Sequence, residues 1–395
     1  MAIVGRKVRA VSWPRDDAKL DRVRAALADQ ELDAVVVRAP DNVLYLTNYW
    51  GMKGYEIAIF PREGDATLVV MEPSVDDAER NAWTADHRVV LGYDPADPRP
   101  PAARALARAQ EVVRERGYGR VGLELSLGTQ ASDRMVGEPT TYTKAFFDAF
   151  DGAADATPLL NACRALKTEQ ELERMRLANA IADAALAHVH ERLRPGMKES
   201  EVAAMWEGAV HAIGVGYEGR VEMARGFALV WSGPGIRTFT ATGDRPIAER
   251  EPTLFEIWVC ADGYWSDLTK NMCPGELDGR YVELLELLLG VYGEAVAFCR
   301  DGASLAELDR LIRARIAGGG YPGQPSHPVA HGVGARAHEP PYAHQADERP
   351  MATGMVLAIE PGIYWEGGGG LRLEDDYVVT DGPAQKLSSW PDDFR

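Results

Sequence analysis

The chain has 395 residues, more than one hydrophobic core usually organises, so two domains are expected. Hydrophobic residues are 46% and charged residues 26%, a globular mix that excludes a disordered, collagenous or coiled-coil chain. The 43 basic and 60 acidic residues leave a formal charge of −17, which argues against a nucleic-acid partner and reads as a soluble acidic surface.

Helix and strand signals alternate through the first part. DDAKLDRVRAALADQELDAVVVRA reads as an amphipathic helix and then a buried strand at about 33–38. IAIFP, ATLVVM and HRVVLGY follow as strands, and the proline-rich 94–101 is a loop. PAARALARAQEVVRERG is a helix and RVGLEL a strand. This alternation predicts an α/β domain over 1–158. The second domain, 159–395, opens on a T-x-x-E capping box at Thr168 and Glu171. Leu172, Met175, Ala178, Ala182, Ala185 and Val189 then recur at helical spacing until Pro195-Gly196. Further helices are expected at about 200–213 and 279–300, and a fourth from a second capping box, Ser304 and Glu307, to Gly318. Strands are expected at 226–231, 253–260, 264–272, 328–334, 355–360 and 371–380. Helices segregated from mainly antiparallel strands make this an α+β domain.

Cysteines 163, 260, 273 and 299 form no CxxC pair, so neither a disulfide framework nor a zinc–thiolate site is expected, and a reduced, cytoplasmic setting fits. The start, MAIVGRKVRAVSWPRDD, lacks the apolar run of a signal peptide. No stretch approaches the roughly 18 apolar residues of a membrane span, so no membrane association is expected.

Chemistry concentrates in the second domain. In FEIWVCADGYWSD, Asp262-Gly263 between apolar runs predicts a two-residue hairpin. Trp258 then pairs with Asp267, and Glu256 becomes a diagonal neighbour of Asp267 on the same face. Two carboxylates on an apolar face call for a positive charge from a hard divalent cation, and the hairpin alone fits equally well one acid that pairs with a local arginine or faces solvent. The last third adds His327, His331 and His338 in SHPVAHGVGARAHEPPY, Glu360 at the end of the apolar strand Met355–Ile359, and Arg372 with Glu374 in LRLEDDYVV. Buried carboxylates in this number need compensation, and two metal ions sharing carboxylate bridges provide it.

In this order the motifs resemble the pita-bread metallohydrolases, the family of prolidase, aminopeptidase P and creatinase. The carriers are an acid, Asp eleven positions on, His-Gly-x-Gly, Glu-Pro-Gly and Arg-x-Glu-Asp, and they span about 160–385. DNVLYLTNYWG resembles the creatinase-type N-terminal domain more loosely. The resemblance implies a metal-dependent hydrolase of an amide or peptide-like C–N bond, Xaa-Pro peptidase-like, acting on a small molecule or short peptide as a homodimer. It implies that Glu256, Asp267, His331, Glu360 and Glu374 bind two divalent ions, manganese foremost, with zinc, iron or cobalt as alternatives. It implies further that Glu360 handles protons, that His338 stabilises the carbonyl or oxyanion, and that His327 and Arg372 orient ligands and substrate.

Two positions depart from the pattern. The peptidases have Asp where this chain has Glu256, whose longer side chain would ligate a shifted first metal, leave a one-metal site or act as a nucleophile. They also carry a substrate-contacting histidine where WSGPGIRTFTATGDRP has Thr240, beside Trp231, Arg237 and Phe239. These departures support a second expectation. It is a non-peptidase relative, such as a small-molecule C–N hydrolase of the creatinase or ectoine hydrolase kind or a dimethylsulfoniopropionate lyase, with a changed role for Glu256. A partner-binding module with a dead site fits less well, because the ligand set is nearly complete.

Overall fold

A computed structural model describes residues 13–51, 54–125, 140–238, 240–365 and 367–393. The chain divides into two compact units, 1–164 and 165–395, where the sequence pattern placed the join at 158/159. The helix Thr157–Ala165 accounts for the difference, since Leu159, Leu160 and Cys163 complete a core of the first unit.

The first unit runs α1 (Asp17–Asp29), β1 (Ala34–Val37), α2 (Pro40–Thr47), β2 (Ile57–Pro61), β3 (Thr67–Met71), α3 (Val75–Asn81), β4 (Asp86–Val90), α4 (Pro101–Glu115), β5 (Val121–Leu123), α5 (Thr140–Asp148), β6 (Ala154–Asp155) and α6 (Thr157–Ala165). Its strands form one mixed sheet in the order β4-β3-β2-β1-β5-β6. The period-two alternation of β1 sets the layering: Val35 and Val37 join α1 and α6 in one core, while Ala34 and Val36 join α4 and α5 in another. Both faces of β1 are covered, which is why it reads as an unbroken apolar run.

The second unit contains α7 (Glu169–His190), α8 (Glu199–Gly214), β7 (Ala224–Ser232), β8 (Thr253–Ala261), β9 (Tyr264–Met272), α9 (Gly279–Phe298), α10 (Leu305–Gly318), β10 (Ala330–Gly332), β11 (Glu339–Tyr342), β12 (Val356–Ile359), β13 (Gly362–Trp365), β14 (Gly369–Arg372), β15 (Asp375–Val378) and β16 (Gln385–Lys386). Every strand pair in it is antiparallel, as an α+β domain requires. The sheets are β7-β8-β9, β11-β10-β12-β15-β16 and the ribbon β13-β14. The capping box at Thr168 and Glu171 starts α7, and Ser304 accepts from the Glu307 amide to start α10. Helices α7 and α8 pack on the three-stranded sheet, and α9 and α10 share a core with β12 and the ribbon. None of the four cysteines is in a disulfide. Among the described residues no helix is long and apolar enough to cross a membrane.

A candidate metal centre

The centre is built first by the β8–β9 hairpin. Asp262 and Gly263 both take positive φ, 46° and 85°, which fits the type I′ geometry whose twist matches the flanking strands. Trp258 therefore faces Asp267 and Glu256 faces Thr269, so Glu256 and Asp267 lie diagonally on one face. Strand β10 brings His331 opposite Ala358 of β12, and Glu360 follows β12 with its amide on the Val329 carbonyl. Glu374 reaches the hairpin through a backbone bridge to Thr269, each amide donating to the other's carbonyl at 3.3 Å.

One expectation is corrected here. The segment 371–380 is not a continuous strand; it breaks at Leu373-Glu374 between β14 and β15. The bridge to Thr269 draws Glu374 out of the ladder. Arg372 and Glu374 still meet, with Arg372 Nε 3.5 Å from Glu374 Oε2.

The glycines after His331 have a steric reason. A Cβ on Gly332 would stand 2.7 Å from the Glu339 carbonyl oxygen and 2.8 Å from that of Pro340, so only glycine lets β10 and β11 approach this closely. A Cβ on Gly334 would stand 2.6 Å from Glu339 Oε1, which pairs with buried Lys167 at 2.8 Å.

His331 Nε2 lies 3.5 Å from Asp267 Oδ2, 3.6 Å from Glu360 Oε1 and 4.0 Å from Glu374 Oε1. His338 Nε2 is 3.4 Å from the same Asp267 oxygen, and the two imidazole rings are 4.4 Å apart. Among the described residues, two groups of donor atoms are close enough to hold an ion, Asp267–His331–His338 and His331–Glu360–Glu374. Glu256 belongs to neither. Its Oε2 pairs at 2.8 Å with Arg372 Nη2.

The electrostatics follow from burial. Burial pushes the Asp267 carboxyl well above the usual carboxylate range, with Glu374, Asp376, Glu360 and Glu256 adding to the effect. Glu360 is raised to about 7, by burial and then by Glu256, against the pull of His331 and Arg372. Glu374 also rises to about 7, through burial and Glu360. Burial holds His338 well below the usual imidazole range, with His331 and Arg372 adding to it, and holds His327 at about 4, with Arg372 adding to it. Both imidazoles are therefore neutral at pH 7, and Arg372 brings one positive charge to several carboxyl groups. Asp267 Oδ2 is buried and accepts no hydrogen bond among the described residues. Carboxylate oxygens and two imidazole nitrogens crowded about a buried, unsatisfied oxygen fit a divalent cation.

Supporting residues join these groups. His327 Nδ1 lies 2.7 Å from its neighbouring Pro328 carbonyl and 3.2 Å from Glu360 Oε2, while Nε2 is 3.1 Å from the Tyr364 hydroxyl. Arg372 Nη1 donates to Tyr364 at 3.4 Å and Nε to Thr269 Oγ1 at 2.7 Å, and the Thr269 hydroxyl donates to Glu374. Asp376 accepts from the Asp267 amide and from Asn179. The sequence reading found neither Thr269 nor Tyr364. Thr269 was visible as the hairpin partner of Glu256, whereas Tyr364 gave no signal beyond its place after Glu360-Pro361-Gly362.

Around the departures, Trp231 is buried in a small apolar cluster with Ile236 and Leu254, on which Leu229 and Tyr364 pack. Arg237 is exposed, and the Thr240 hydroxyl is buried without a hydrogen-bond partner among the described residues. Phe239 lies outside the described residues.

Residues 173–381 match the model of metallopeptidase family M24, and residues 19–166 match the creatinase/prolidase N-terminal domain. The chain belongs to metallopeptidase family M24. A probable dipeptidase PepE of Mycobacterium bovis is 33% identical over 238 residues, covering 60% of this chain and 62% of that protein. An uncharacterised peptidase of Staphylococcus saprophyticus is 24% identical over 94% of this chain and 99% of its own length. The fold matches that of a prolidase from Pyrococcus horikoshii with a TM-score of 0.77 at 24% identity, covering 96% of this chain and all of that one. The pita-bread fold and its creatinase-type N-terminal domain are thus established for this M24 chain, and membership implies divalent metal ions. Family and neighbours support a peptidase-like metallohydrolase.

Proposed function

We propose that this M24 chain hydrolyses an amide or peptide-like C–N bond, with Xaa-Pro dipeptides as the first substrate class to test. The observation that carries the reading is the buried convergence of Asp267, Glu360 and Glu374 within 4.0 Å of His331 Nε2. These four residues would hold the metal. Bound divalent cations supply Lewis acidity at the scissile carbonyl and acidify water. Manganese is the proposed ion, because carboxylate oxygens dominate the donor set.

The chain's own groups then have defined tasks. Glu360 presents one oxygen to His331 and the other to His327, and it passes a proton from water to the leaving nitrogen. His338 has a buried, unpartnered Nδ1, so its neutral ring carries the proton on Nε2 and donates toward the substrate carbonyl oxygen. His327 would give its Nδ1 proton to the Pro328 carbonyl, with Glu360 Oε2 3.2 Å away, and so would steady Glu360 by proximity. We read the enzyme as a cytoplasmic homodimer, which four cysteines outside any disulfide and the family resemblance support.

A panel of Xaa-Pro dipeptides assayed with Mn²⁺, beside metal analysis of the same protein, tests this reading. Turnover that His331→Ala abolishes is the expected result. Bound metal with every dipeptide inert would refute the peptidase assignment. It would favour the second reading, a small-molecule C–N hydrolase or lyase, for which Thr240 at the position of the peptidases' histidine is the supporting observation.

A further inference from the structure

Glu256 occupies the place of a metal ligand in the family pattern, yet its carboxylate is engaged elsewhere. Arg372 is 3% exposed; its Nε donates to Thr269 at 2.7 Å and its Nη1 to Tyr364 at 3.4 Å, while Nη2 makes no hydrogen bond among the described residues but lies 2.8 Å from Glu256 Oε2 as an ion pair. A guanidinium held at Nε and Nη1 does not follow Glu256 if that side chain turns toward the metal centre. Turning away would leave a buried guanidinium without its closest counter-charge, and breaking such a pair is strongly unfavourable. The centre closes without Glu256, because His331 Nε2 has Asp267, Glu360 and Glu374 around it within 4.0 Å. The extra methylene of Glu over Asp accounts for the difference. It carries the carboxylate about 1.5 Å further from the strand, out to the guanidinium.

We propose that this chain holds a single divalent ion, on Asp267, His331, Glu360 and Glu374, and that Glu256 is the anchor of Arg372 and not a metal ligand. Arg372 thereby stands as a fixed positive charge beside Glu256 and Glu374, where it would disfavour a second cation. The inference rests on the metal-centre reading above, and the experiment separates the two.

Full-length protein is stripped with chelator, reloaded with excess Mn²⁺ and dialysed. Bound metal is then measured by mass spectrometry, and the Mn²⁺ electron paramagnetic resonance spectrum is recorded. The expected result is about one equivalent with the six-line signal of an isolated ion, unchanged in Glu256→Gln. In Glu256→Asp the shorter side chain leaves the guanidinium, the retained metal rises toward about two equivalents, and the spectrum becomes exchange-coupled. Two equivalents in the wild type, a loss of metal in Glu256→Gln, or no second ion in Glu256→Asp each overturn the proposal. No retained metal in any of the three proteins overturns the metal-centre reading itself. Circular dichroism establishes that each variant is folded.

Discussion

Replacing Thr269 by valine tests how the centre is held together. Thr269 is fully buried on β9, accepts from Arg372 Nε at 2.7 Å and donates to Glu374 Oε2. Valine keeps the β-branched shape, so the perturbation is the hydroxyl alone. Two hydrogen bonds to charged groups disappear, each worth about 1.5–3 kcal/mol. Arg372 Nε and Glu374 Oε2, only 3.5 Å apart, recover part of this by closing on each other. The net loss is then about 2–3 kcal/mol, which for a unit of this size lowers Tm by roughly 5–10 °C. Glu374 also loses the group that orients it, so metal affinity should fall about 10–100-fold. Thermal unfolding of the metal-stripped protein measures the first effect, and competition with a chelating dye measures the second. Thr269→Ser retains the hydroxyl and should recover most of both. The reasoning fails if valine leaves Tm within about 2 °C of the wild type and affinity unchanged, or if serine is no better than valine.

Two glycines make a matched pair with opposite signs. Gly332→Ala forces a methyl against two backbone carbonyls and should cost about 1–3 kcal/mol while displacing His331 and weakening metal binding. Gly290→Ala, in α9 with open space around the added carbon, should stabilise by about 0.5–1 kcal/mol; urea titration of both reads the signs. In the first unit, burial and then Asp41 raise the Glu124 carboxyl from 4.5 to about 7. Between those values the folded chain keeps a proton that the unfolded chain has released, so this group removes stability as pH rises, up to about 3 kcal/mol above pH 7. The Tm of Glu124→Gln relative to wild type should therefore climb from pH 4.5 to pH 8, and a flat difference would contradict the assignment.

What the sequence made legible was local or periodic. The Asp-Gly turn fixes the β8–β9 register, and with it the diagonal of Glu256 and Asp267, because a two-residue hairpin leaves no other pairing. The capping box at Thr168 and the stripe that follows locate α7 for the same reason. Helix α2 escaped because it has no stripe to see: every residue from Asp41 to Thr47 is buried, so a period of 3.6 has no polar face to alternate with. Ribbon β13-β14 escaped because the glycine run 367–370 reads as a loop, yet Gly369 and Gly370 pair with Trp365 and Tyr364.

The centre shows the same division more sharply. Each donor sits in a motif readable by itself, but the distances among donors depend on how the β7-β8-β9 sheet and the β10-β12-β15 sheet approach one another, and no local pattern encodes that. Glu256 is the telling case. From the hairpin alone, a cation and a nearby arginine were equally good partners for its carboxylate. The arginine proves to be Arg372, on the ribbon, brought within 2.8 Å by the tertiary arrangement and fixed there by Thr269 and Tyr364. The sequence marks Glu256 as unusual through its chemical identity. Only the placement of Arg372 says what the added methylene reaches, and so which of the two partners the carboxylate serves.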